Sequence, residues 1–312
     1  MSQKRRILSI DGGGIRGIYP ATILAEIENQ LPEPLYKYFD LIADTSTGGI
    51  IALGIGLGYK ASEIVTFYEK YGPRIFKGSW PVKLFRHVFE TKYAHEQLTI
   101  ALKETFGERL IGESKTRLVI PSMNIQNGDV HIYKTCHRED FDRDYHRPVY
   151  EAALATSSAL TYFPNYINST SDILTDGGLW ANNPILASLM DGIGILEWDK
   201  KNINVLSLGC IEKPFSKSLH KRKGIIGLLR SGIAEVFMAM QSKSALSSSY
   251  TLLGHGPVTR INDIGNFSLD CVKELPAMKA LAEKRASKEI GKIMPIFFEE
   301  IVTEPFVPFK SV

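Results

Sequence analysis

Apolar residues along this chain form short runs, which alternate with longer stretches where they recur at helical spacing. A short run that ends at glycine or at polar residues is typical of a strand buried in a sheet. Two of the runs flank Asn127-Gly128, a dipeptide that favours a hairpin turn. We therefore predict strands at 5–10, 36–43, 117–124, 130–135, 173–175 and 204–209.

Helical spacing predicts the elements that separate these strands. Helices are expected at 18–31, 48–58, 61–71, 149–158, 183–194 and 278–298, and residues 215–258 also look helical. The pattern predicts an α/β fold with a mostly parallel central sheet flanked by helices and a helical C-terminal extension. Residues 1–214 would form the α/β domain, and residues 215–312 a helical part packed on the same domain.

The composition is that of an ordinary globular protein, since 44% of the 312 residues are hydrophobic and 23% are charged. The net charge of +3 is too small to indicate a nucleic-acid polymer as partner. Three scattered cysteines without a CxxC pattern fit a reducing compartment. The sequence has neither a signal-peptide core nor the ~18 apolar residues of a spanning helix. We expect a cytoplasmic protein that is soluble or peripheral on a membrane.

Ser46 lies where the predicted strand 36–43 passes into the helix 48–58, within Asp-Thr-Ser-Thr-Gly-Gly at 44–49. A serine hydroxyl is a weak nucleophile, so it needs a nearby base and a position clear of the backbone. A sharp strand–turn–helix provides that position, and the start of the helix adds free N–H groups. Ser46 is therefore a candidate nucleophile, although a helix N-cap without catalysis explains this window equally well.

Gly12, Gly13 and Gly14 follow the first strand and precede a helix. Because glycines have no side chains, their backbone N–H groups can converge on an anion. In acyl transfer that anion is the tetrahedral oxyanion, and Arg16 would add positive charge beside it.

The same loop matches the dinucleotide-binding fingerprint Gly12-x-Gly14-x-x-Gly17, with Asp40 as the acidic residue further along the chain. This alternative does not explain Ser46. The regular βαβ repeats that it requires are also missing from the pattern, so we regard it as the weaker interpretation.

Asp176-Gly177-Gly178 follows the short strand 173–175. A carboxylate at a strand end, followed by glycines that let the backbone turn, is a typical position for a catalytic base. Taken alone, an ordinary Asp-Gly turn is the simpler explanation. Combined with Ser46 and the glycine loop, Asp176 becomes the candidate base.

These three windows, in this order, resemble the patatin-like phospholipases. Four supporting stretches are also similar to members of that family, at 155–159, 163–164, 182–184 and 206–209. The resemblance covers roughly residues 5–210 and implies that residues 1–214 are a catalytic domain. It implies a calcium-independent lipid acyl hydrolase without metal or cofactor. The implied site residues are Ser46 and Asp176 as a dyad, Gly12, Gly13, Gly14 and Arg16 as the oxyanion hole, Asp44 and Gly48 in the elbow, and Gly177 and Gly178 in the site loop.

The implied reaction cleaves a fatty acyl ester of a membrane phospholipid through an acyl-enzyme. Asp176 would take the serine proton and later activate water, and burial must strengthen this weak base. A Ser–Asp–His triad is the alternative, because His220 and His255 follow Asp176 in the chain order of α/β-hydrolases. Neither histidine lies in a convincing strand-end turn, so we favour the dyad.

Asp44 departs from the family pattern, which has glycine two residues before the nucleophile. A side chain there should crowd the tight turn, and a negative charge would oppose a developing oxyanion. We expect impaired catalysis or an engineered substitution. The milder alternative is that Asp44 points outward and is harmless.

Two basic segments suggest contact with anionic surfaces. Residues 74–86 mix aromatic and basic side chains without an acid, which suits a lid or a membrane-interface patch, although a loop packed on its own core is an equal alternative. The second segment precedes an apolar helix at 225–240 and suits an anionic lipid or a phosphorylated ligand, although a solvated charged face is the commoner explanation. Its basic residues are Lys213, Lys217, Lys221, Arg222, Lys223 and Arg230.

Two groups of potential metal ligands have irregular spacing, so we interpret them as a polar surface loop. They are His131, His137 and His146, and Glu139, Asp140, Asp142 and Asp144.

The resemblance extends to short bacterial patatins that act as antiphage effectors switched on by cyclic dinucleotides. It therefore implies a cyclic dinucleotide activator, peripheral contact with the inner face of the membrane, and assembly as a homo-oligomer. The competing hypothesis is non-enzymatic: a patatin-fold sensor or assembly protein whose site is silenced by Asp44.

Overall fold

The computed structural model describes residues 3–77, 91–214 and 233–312. Eight strands form one sheet in these ranges: β1 (Arg5–Ile10), β2 (Leu41–Asp44), β3 (Arg117–Asn124), β4 (Asp129–Lys134), β5 (Tyr166–Ile167), β6 (Ile173–Asp176), β7 (Ile203–Leu208) and β8 (Val258–Ile261). Their order is β5-β6-β3-β2-β1-β7-β8, and β4 pairs with β3 outside this path. The central pairs from β3 to β8 are parallel, whereas β4, β5 and β6 join by antiparallel pairing.

Helices cover both faces of this sheet. The α-helices of the described ranges are α1 (Ile18–Glu28), α2 (Thr47–Leu57), α3 (Ala61–Ile75), α4 (Glu96–Phe106), α5 (Val149–Ser157), α6 (Gly178–Ala181), α7 (Ile185–Leu189), α8 (Ile233–Leu253) and α9 (Leu275–Ile293). Two π-helical turns, Met190–Ile195 and Met294–Phe298, continue α7 and α9. Short 3-10 turns occur at Gly14–Gly17, Leu35–Tyr38, Ile111–Glu113, Lys200–Asn202 and Val272–Glu274.

The central strands are buried on both faces, which explains their nearly continuous apolar sequences. Successive side chains of a strand point to opposite faces. Leu8 and Ile10 accordingly pack in the larger core cluster, whereas Ile7 joins the cluster on the other side together with Leu189 and Ala245. The predicted α/β fold, with its mostly parallel sheet, flanking helices and C-terminal helices, is confirmed.

Two predicted elements differ from the observed ones in type over part of their length. The strand predicted at 36–43 is observed only as Leu41–Asp44, because Leu35–Tyr38 forms a 3-10 turn. The carboxylate of Asp40 accepts a hydrogen bond from the backbone N–H of Arg6 at 2.8 Å, and the extended pairing begins after it. The helix predicted at 183–194 is shorter, because an α-helix begins at Ile185 and passes into a π-helical turn at Met190.

The C-terminal region contributes a strand that the pattern did not predict. β8 pairs in parallel with β7 and extends the sheet. The predicted helical region 215–258 includes α8, whereas residues 215–232 lie outside the described part. The division at residue 214 stays a prediction, and the sheet takes one strand from beyond it. Within the described ranges, no helix combines the length and apolar character needed to cross a membrane.

The sheet topology brings the three candidate windows to one edge. Ile10 at the end of β1 is in register with Asp44 at the end of β2 and with Leu208 at the end of β7. The loops that follow these parallel strands therefore leave the sheet side by side. Asp176 ends the antiparallel β6 opposite Ser122 of β3. Ligands of open α/β sheets bind at such a carboxyl edge.

Candidate active site

Ser46 occupies a strained turn between β2 and α2. Its backbone angles, with a φ of 60° and a ψ of −134°, lie in a region that residues other than glycine rarely adopt. Such a conformation costs roughly 1–3 kcal/mol and persists only where the surroundings fix it. Here the backbone N–H of Ser46 donates to Thr156 Oγ1 at 2.9 Å, and α2 starts at the next residue. The turn thus has the strand–turn–helix geometry that a nucleophile elbow requires.

The side chains of Ser46 and Asp176 meet. Ser46 Oγ donates a hydrogen bond to Asp176 Oδ2 at 2.6 Å, and Asp176 Oδ1 accepts one from the N–H of Gly178 at 2.6 Å. Both residues are buried, with 7% and 5% of their surface exposed. The structure therefore brings together the two residues that the sequence pairs as nucleophile and base.

Burial strengthens Asp176 as a base. Desolvation of the carboxylate raises the pKa of Asp176 to about 6, against the opposing effect of the hydrogen bonds from Ser46 and Gly178. A pKa near 6 leaves the carboxylate ionised at neutral pH and makes it a better proton acceptor than an exposed aspartate.

No histidine of the described ranges is hydrogen-bonded to Ser46 or Asp176. His255 stacks on Tyr250 of α8, with 4.4 Å between the ring centroids. His220 lies outside the described residues. The geometry therefore gives the triad alternative no support from His255.

The glycine loop faces the serine turn. A Cβ placed on Gly12 would lie 3.1 Å from Ser46 Cβ, and Thr47 Oγ1 donates to the carbonyl of Gly14 at 2.7 Å. Gly14 has a φ of +58°, and a Cβ there would lie 2.3 Å from the carbonyl oxygen of Leu269. Glycine is therefore required at position 14 on both conformational and steric grounds.

The amides of the loop are not equivalent. The N–H of Gly12 donates to the carbonyl of Asn182 at 2.9 Å. Gly12 is thus wrong as an oxyanion donor, because a neighbouring loop already uses its N–H. The N–H groups of Gly13 and Gly14 have no acceptor among the described residues and stay candidates for the oxyanion hole.

The Arg16 side chain connects the glycine loop to the segment that follows β7. Its Nε donates to the carbonyl of Gly13 at 3.2 Å, and its Nη1 donates to the carbonyl of Ile211 at 3.0 Å. These contacts fix the orientation of the Gly13 peptide. Direct contact between Arg16 and an oxyanion stays a prediction.

Gly177 and Gly178 let the Asp176 loop pass close to the sheet. A Cβ on Gly177 would lie 2.3 Å from the carbonyl oxygen of Pro121. The N–H of Gly178 donates to the catalytic candidate itself, as described above. Larger residues at 177 would therefore displace the carboxylate from Ser46.

Asp44 points into the protein, so the expectation that it could point harmlessly outward is wrong. It is 0% exposed, and its Oδ1 accepts a hydrogen bond from the N–H of Thr45 at 2.8 Å. A Cβ on Gly48 would lie only 1.8 Å from that oxygen, so glycine at 48 makes room for the carboxyl group. Asp44 Oδ2 has no hydrogen-bond partner among the described residues.

Burial also shifts the pKa of Asp44. Desolvation raises its pKa well above the ordinary range, more than the hydrogen bond from Thr45 lowers it. A raised pKa favours the neutral acid, which opposes a developing oxyanion less than a carboxylate does. Glycine at position 48 leaves room for the Asp44 side chain, and the contact between Ser46 and Asp176 is retained beside it. Impaired catalysis stays a prediction.

An ion pair that sequence reasoning missed supports the start of the glycine loop. Arg260 of β8 makes a bidentate contact with Asp11, with Nη1–Oδ1 at 2.7 Å and Nη2–Oδ2 at 2.6 Å. Its Nη1 also donates to Ser207 Oγ at 2.8 Å. Burial works against the charge of Arg260, but the carboxylate of Asp11 outweighs it and raises the pKa of Arg260. No local motif marks Arg260, since its role depends on the pairing of β8 with β7.

The dinucleotide-binding alternative does not fit the sheet. Asp40 precedes β2 and pairs with Arg5 and the N–H of Arg6, at the start of β1. The glycine loop follows the end of β1. Asp40 is therefore at the opposite edge of the sheet from the loop, where it could not contact a ribose bound there.

The other candidate segments are described only in part. Ile75 and Phe76 are buried in the core, whereas residues 78–86 of the aromatic-basic segment lie outside the described ranges. Lys213 pairs with Glu235 at 2.9 Å. The remaining members of the basic cluster, Lys217, Lys221, Arg222, Lys223 and Arg230, also lie outside the described ranges.

Two histidines among the potential metal ligands, His131 and His137, are buried and have other partners, so the surface loop expected there is wrong for them. His137 Nε2 contacts Asp191 Oδ2 at 2.8 Å, and the ring of His131 packs against Tyr133. Across the described ranges there is no group of three or more His, Cys, Asp or Glu residues arranged to hold a metal ion.

Comparison with known proteins identifies the family of this chain. The sequence model of a family described as patatin-like phospholipase matches residues 8–189. A cGAMP-activated phospholipase of Vibrio cholerae is 33% identical over 271 residues, which are 79% of this chain and 76% of that protein. A cGAMP-activated phospholipase of Pseudomonas aeruginosa is 39% identical over 184 residues, which are 59% of this chain but 55% of that protein. A cUMP-AMP-activated phospholipase of Escherichia coli is 33% identical over 217 residues, covering 65% of this chain and 64% of that protein.

Proposed function

This chain belongs to the patatin-like phospholipase family, and we propose that it hydrolyses fatty acyl esters of membrane phospholipids with Ser46 as nucleophile and Asp176 as base. The observation that carries the proposal is the 2.6 Å hydrogen bond from Ser46 Oγ to Asp176 Oδ2. The strained φ of Ser46 and the open amides of the glycine loop support it.

In the acylation step, Ser46 Oγ attacks the ester carbonyl while Asp176 Oδ2 accepts the hydroxyl proton. The raised pKa of Asp176, caused by burial, suits this transfer at neutral pH. The carbonyl oxygen becomes an oxyanion, which the N–H groups of Gly13 and Gly14 would stabilise. The proton on Asp176 then passes to the departing alcohol, the lysophospholipid, and Ser46 keeps the acyl group as an ester.

A cyclic dinucleotide is the proposed activator, and the inner face of the membrane is the proposed place of action. Two relatives are named cGAMP-activated phospholipases and a third is named a cUMP-AMP-activated phospholipase. Ser46 and Asp176 are almost closed to solvent, so a long acyl chain needs a rearrangement to reach them. An activator-driven opening is consistent with that closure.

Assembly as a homo-oligomer belongs to the same proposal, and antiviral defence is the proposed setting.

The second candidate function is a catalytically silent sensor or assembly protein. Its support is Asp44, which puts a buried carboxyl group with an unpartnered oxygen where the family has glycine. The candidates differ in the reactivity of Ser46 towards a fluorophosphonate, which reacts only with an activated serine. Labelling of Asp44→Gly but not of the native chain would favour the silent site.

The test of the enzymatic proposal is release of fatty acid from phospholipid vesicles, with and without a panel of cyclic dinucleotides. We expect one of the cyclic dinucleotides to raise the rate, and Ser46→Ala and Asp176→Asn to lower the stimulated rate at least about 1,000-fold. Isothermal titration of Ser46→Ala should still give binding heat with the same cyclic dinucleotide. Full activity in Ser46→Ala would contradict the proposal.

A further inference from the structure

The turn that follows Asp176 connects the separate parts of the site. The carbonyl of Ala181 accepts a hydrogen bond from Thr45 Oγ1 at 2.7 Å, so this turn holds the residue before the nucleophile. The carbonyl of Asn182 accepts from the N–H of Gly12 at 2.9 Å, so the same turn holds the glycine loop. Asn182 thus lies where the base, the elbow and the glycine loop come together.

The orientation of the Asn182 side chain is fixed by helix α8. The bidentate ion pair with Arg260 holds Asp11 as a carboxylate, which can only accept, so Ser242 Oγ donates its hydrogen to Asp11 Oδ2 at 3.4 Å. The hydroxyl oxygen of Ser242 must then accept from its other neighbour, which is Asn182 at 3.0 Å. The group of Asn182 that faces Ser242 is therefore the amide nitrogen, and Oδ1 points the other way.

Asn182 Oδ1 is a buried acceptor without a donor among the described residues. Only 6% of Asn182 is exposed. A Cβ on Gly12 would lie 2.8 Å from this oxygen and 3.1 Å from Ser46 Cβ, so the two atoms flank the same glycine. A Cβ on Gly178 would lie 3.2 Å from Asn182 Oδ1 and 2.9 Å from Asp176 Oδ1. The unpartnered oxygen therefore lies beside both members of the dyad.

A buried amide oxygen without a hydrogen bond destabilises the resting protein, so its place beside the dyad calls for a partner in another state. The acyl-enzyme state provides a hydrogen-bond donor for this oxygen. Hydrolysis of the acyl-serine requires a water near Asp176, and that water has two O–H bonds. One proton goes to the base, and the other hydrogen needs an acceptor on the protein.

We propose that Asn182 Oδ1 accepts a hydrogen bond from the hydrolytic water and so orients that water between Asp176 and the acyl-serine. The inference rests on the proposed function, since it assigns a residue to the second step of that reaction. In the resting state the Ser46–Asp176 hydrogen bond closes this region. Once Ser46 Oγ carries an acyl group it has no hydrogen to donate, and Asp176 Oδ2 becomes available to water.

Deacylation breaks the acyl-serine bond and restores the Ser46 hydroxyl group. The water oxygen bonds to the acyl carbon as its proton passes to Asp176 Oδ2, and the second O–H bond stays intact, directed at Asn182 Oδ1. The tetrahedral intermediate then breaks its bond to Ser46 Oγ. That oxygen takes the proton from Asp176, and the fatty acid leaves with the hydroxyl group that the water supplied.

The experiment separates acylation from deacylation in Asn182→Ala, using fluorophosphonate labelling for the first step and a p-nitrophenyl ester for turnover. We expect the labelling rate to stay within about threefold of the native rate. Turnover should fall roughly 10- to 100-fold, because the water loses its orientation. A burst of p-nitrophenol, close to one per site, should precede the slow phase as the acyl-enzyme accumulates.

Two further variants keep the result decisive if Asn182→Ala folds poorly. Ser242→Ala retains Asn182 Oδ1 but frees the amide to rotate, so it should slow deacylation several-fold with labelling unchanged. Asn183→Ala is the matched control, because the Asn183 oxygen accepts from the N–H of Ile185 instead. It should leave the ratio of the two rates unchanged.

Equal losses in labelling and turnover, or no loss of turnover, in Asn182→Ala would overturn the role of Asn182. If that variant does not fold, equal rates or equal losses in Ser242→Ala would overturn it. Failure of the native chain to label at Ser46 in the presence of each cyclic dinucleotide of the panel would instead overturn the proposed function itself. The two failures are therefore distinguishable.

Discussion

At the scale of single residues, the site combines a direct contact between Ser46 and Asp176 with a glycine loop held by a carbonyl of a distant turn. Ser46 and Asp176 could be predicted because a nucleophile at a strand–helix turn and a carboxylate before two glycines are local patterns. The hydrogen bond that occupies the N–H of Gly12 could not be predicted, because its acceptor, the carbonyl of Asn182, lies far along the chain. The complete burial of Asp44 could not be predicted either, because burial has no local signature.

Asp44→Asn tests whether the buried acid is neutral in the folded protein. Desolvation raises the folded-state pKa of Asp44 above the value of about 3.9 expected in the unfolded chain. The folded state therefore keeps this proton to higher pH, and stability declines as pH rises from about 4 towards the folded pKa. Asparagine does not titrate, so Asp44→Asn should become progressively more stable than the native protein above pH 4.

Urea unfolding of both proteins between pH 4 and pH 8 measures this difference. The free energies of unfolding should diverge as pH rises and come closest near pH 4. If the difference between the two free energies of unfolding stays constant across this range, Asp44 titrates alike in the folded and unfolded chains. The raised pKa of Asp44 in the folded protein would then be wrong.

At the scale of elements, β8 shows where the hydrophobic pattern was insufficient. Val258–Ile261 is four residues long and lies next to a region of helical character, so no periodicity distinguishes it from a loop. Its pairing with β7 nevertheless places Arg260 on Asp11 at the start of the glycine loop. Helix α8 adds a second contact there through Ser242. The C-terminal region therefore supports the site as well as the fold.

Arg260→Met tests this support. Removing the guanidinium leaves Asp11 buried without its ion-pair partner, which should lower the free energy of unfolding by about 3–5 kcal/mol. The double variant Asp11→Asn/Arg260→Met removes both charges and should recover most of that loss. Urea unfolding at neutral pH measures both variants. A loss below about 1 kcal/mol in the single variant would contradict the structural role of the pair.

At the scale of the whole molecule, the alternation of strands and helices predicted the fold class because each parallel strand needs a crossover helix before the next. The register of β1, β2 and β7 then places their ends side by side. That register and the order of the strands cannot be predicted from the local pattern, because they depend on how all the helices pack. The common edge at which Ser46 meets Asp176 is therefore a property of the whole sheet.

The most direct test of the dyad is the pH dependence of fluorophosphonate labelling at Ser46, with the labelled peptide identified by mass spectrometry. Because burial raises the pKa of Asp176 to about 6, the base is lost by protonation below that pH. The labelling rate should fall about tenfold per pH unit below pH 6 and level off above it, and Asp176→Asn should label very slowly at every pH. Labelling at another residue, or an equal rate in Asp176→Asn, would contradict the account.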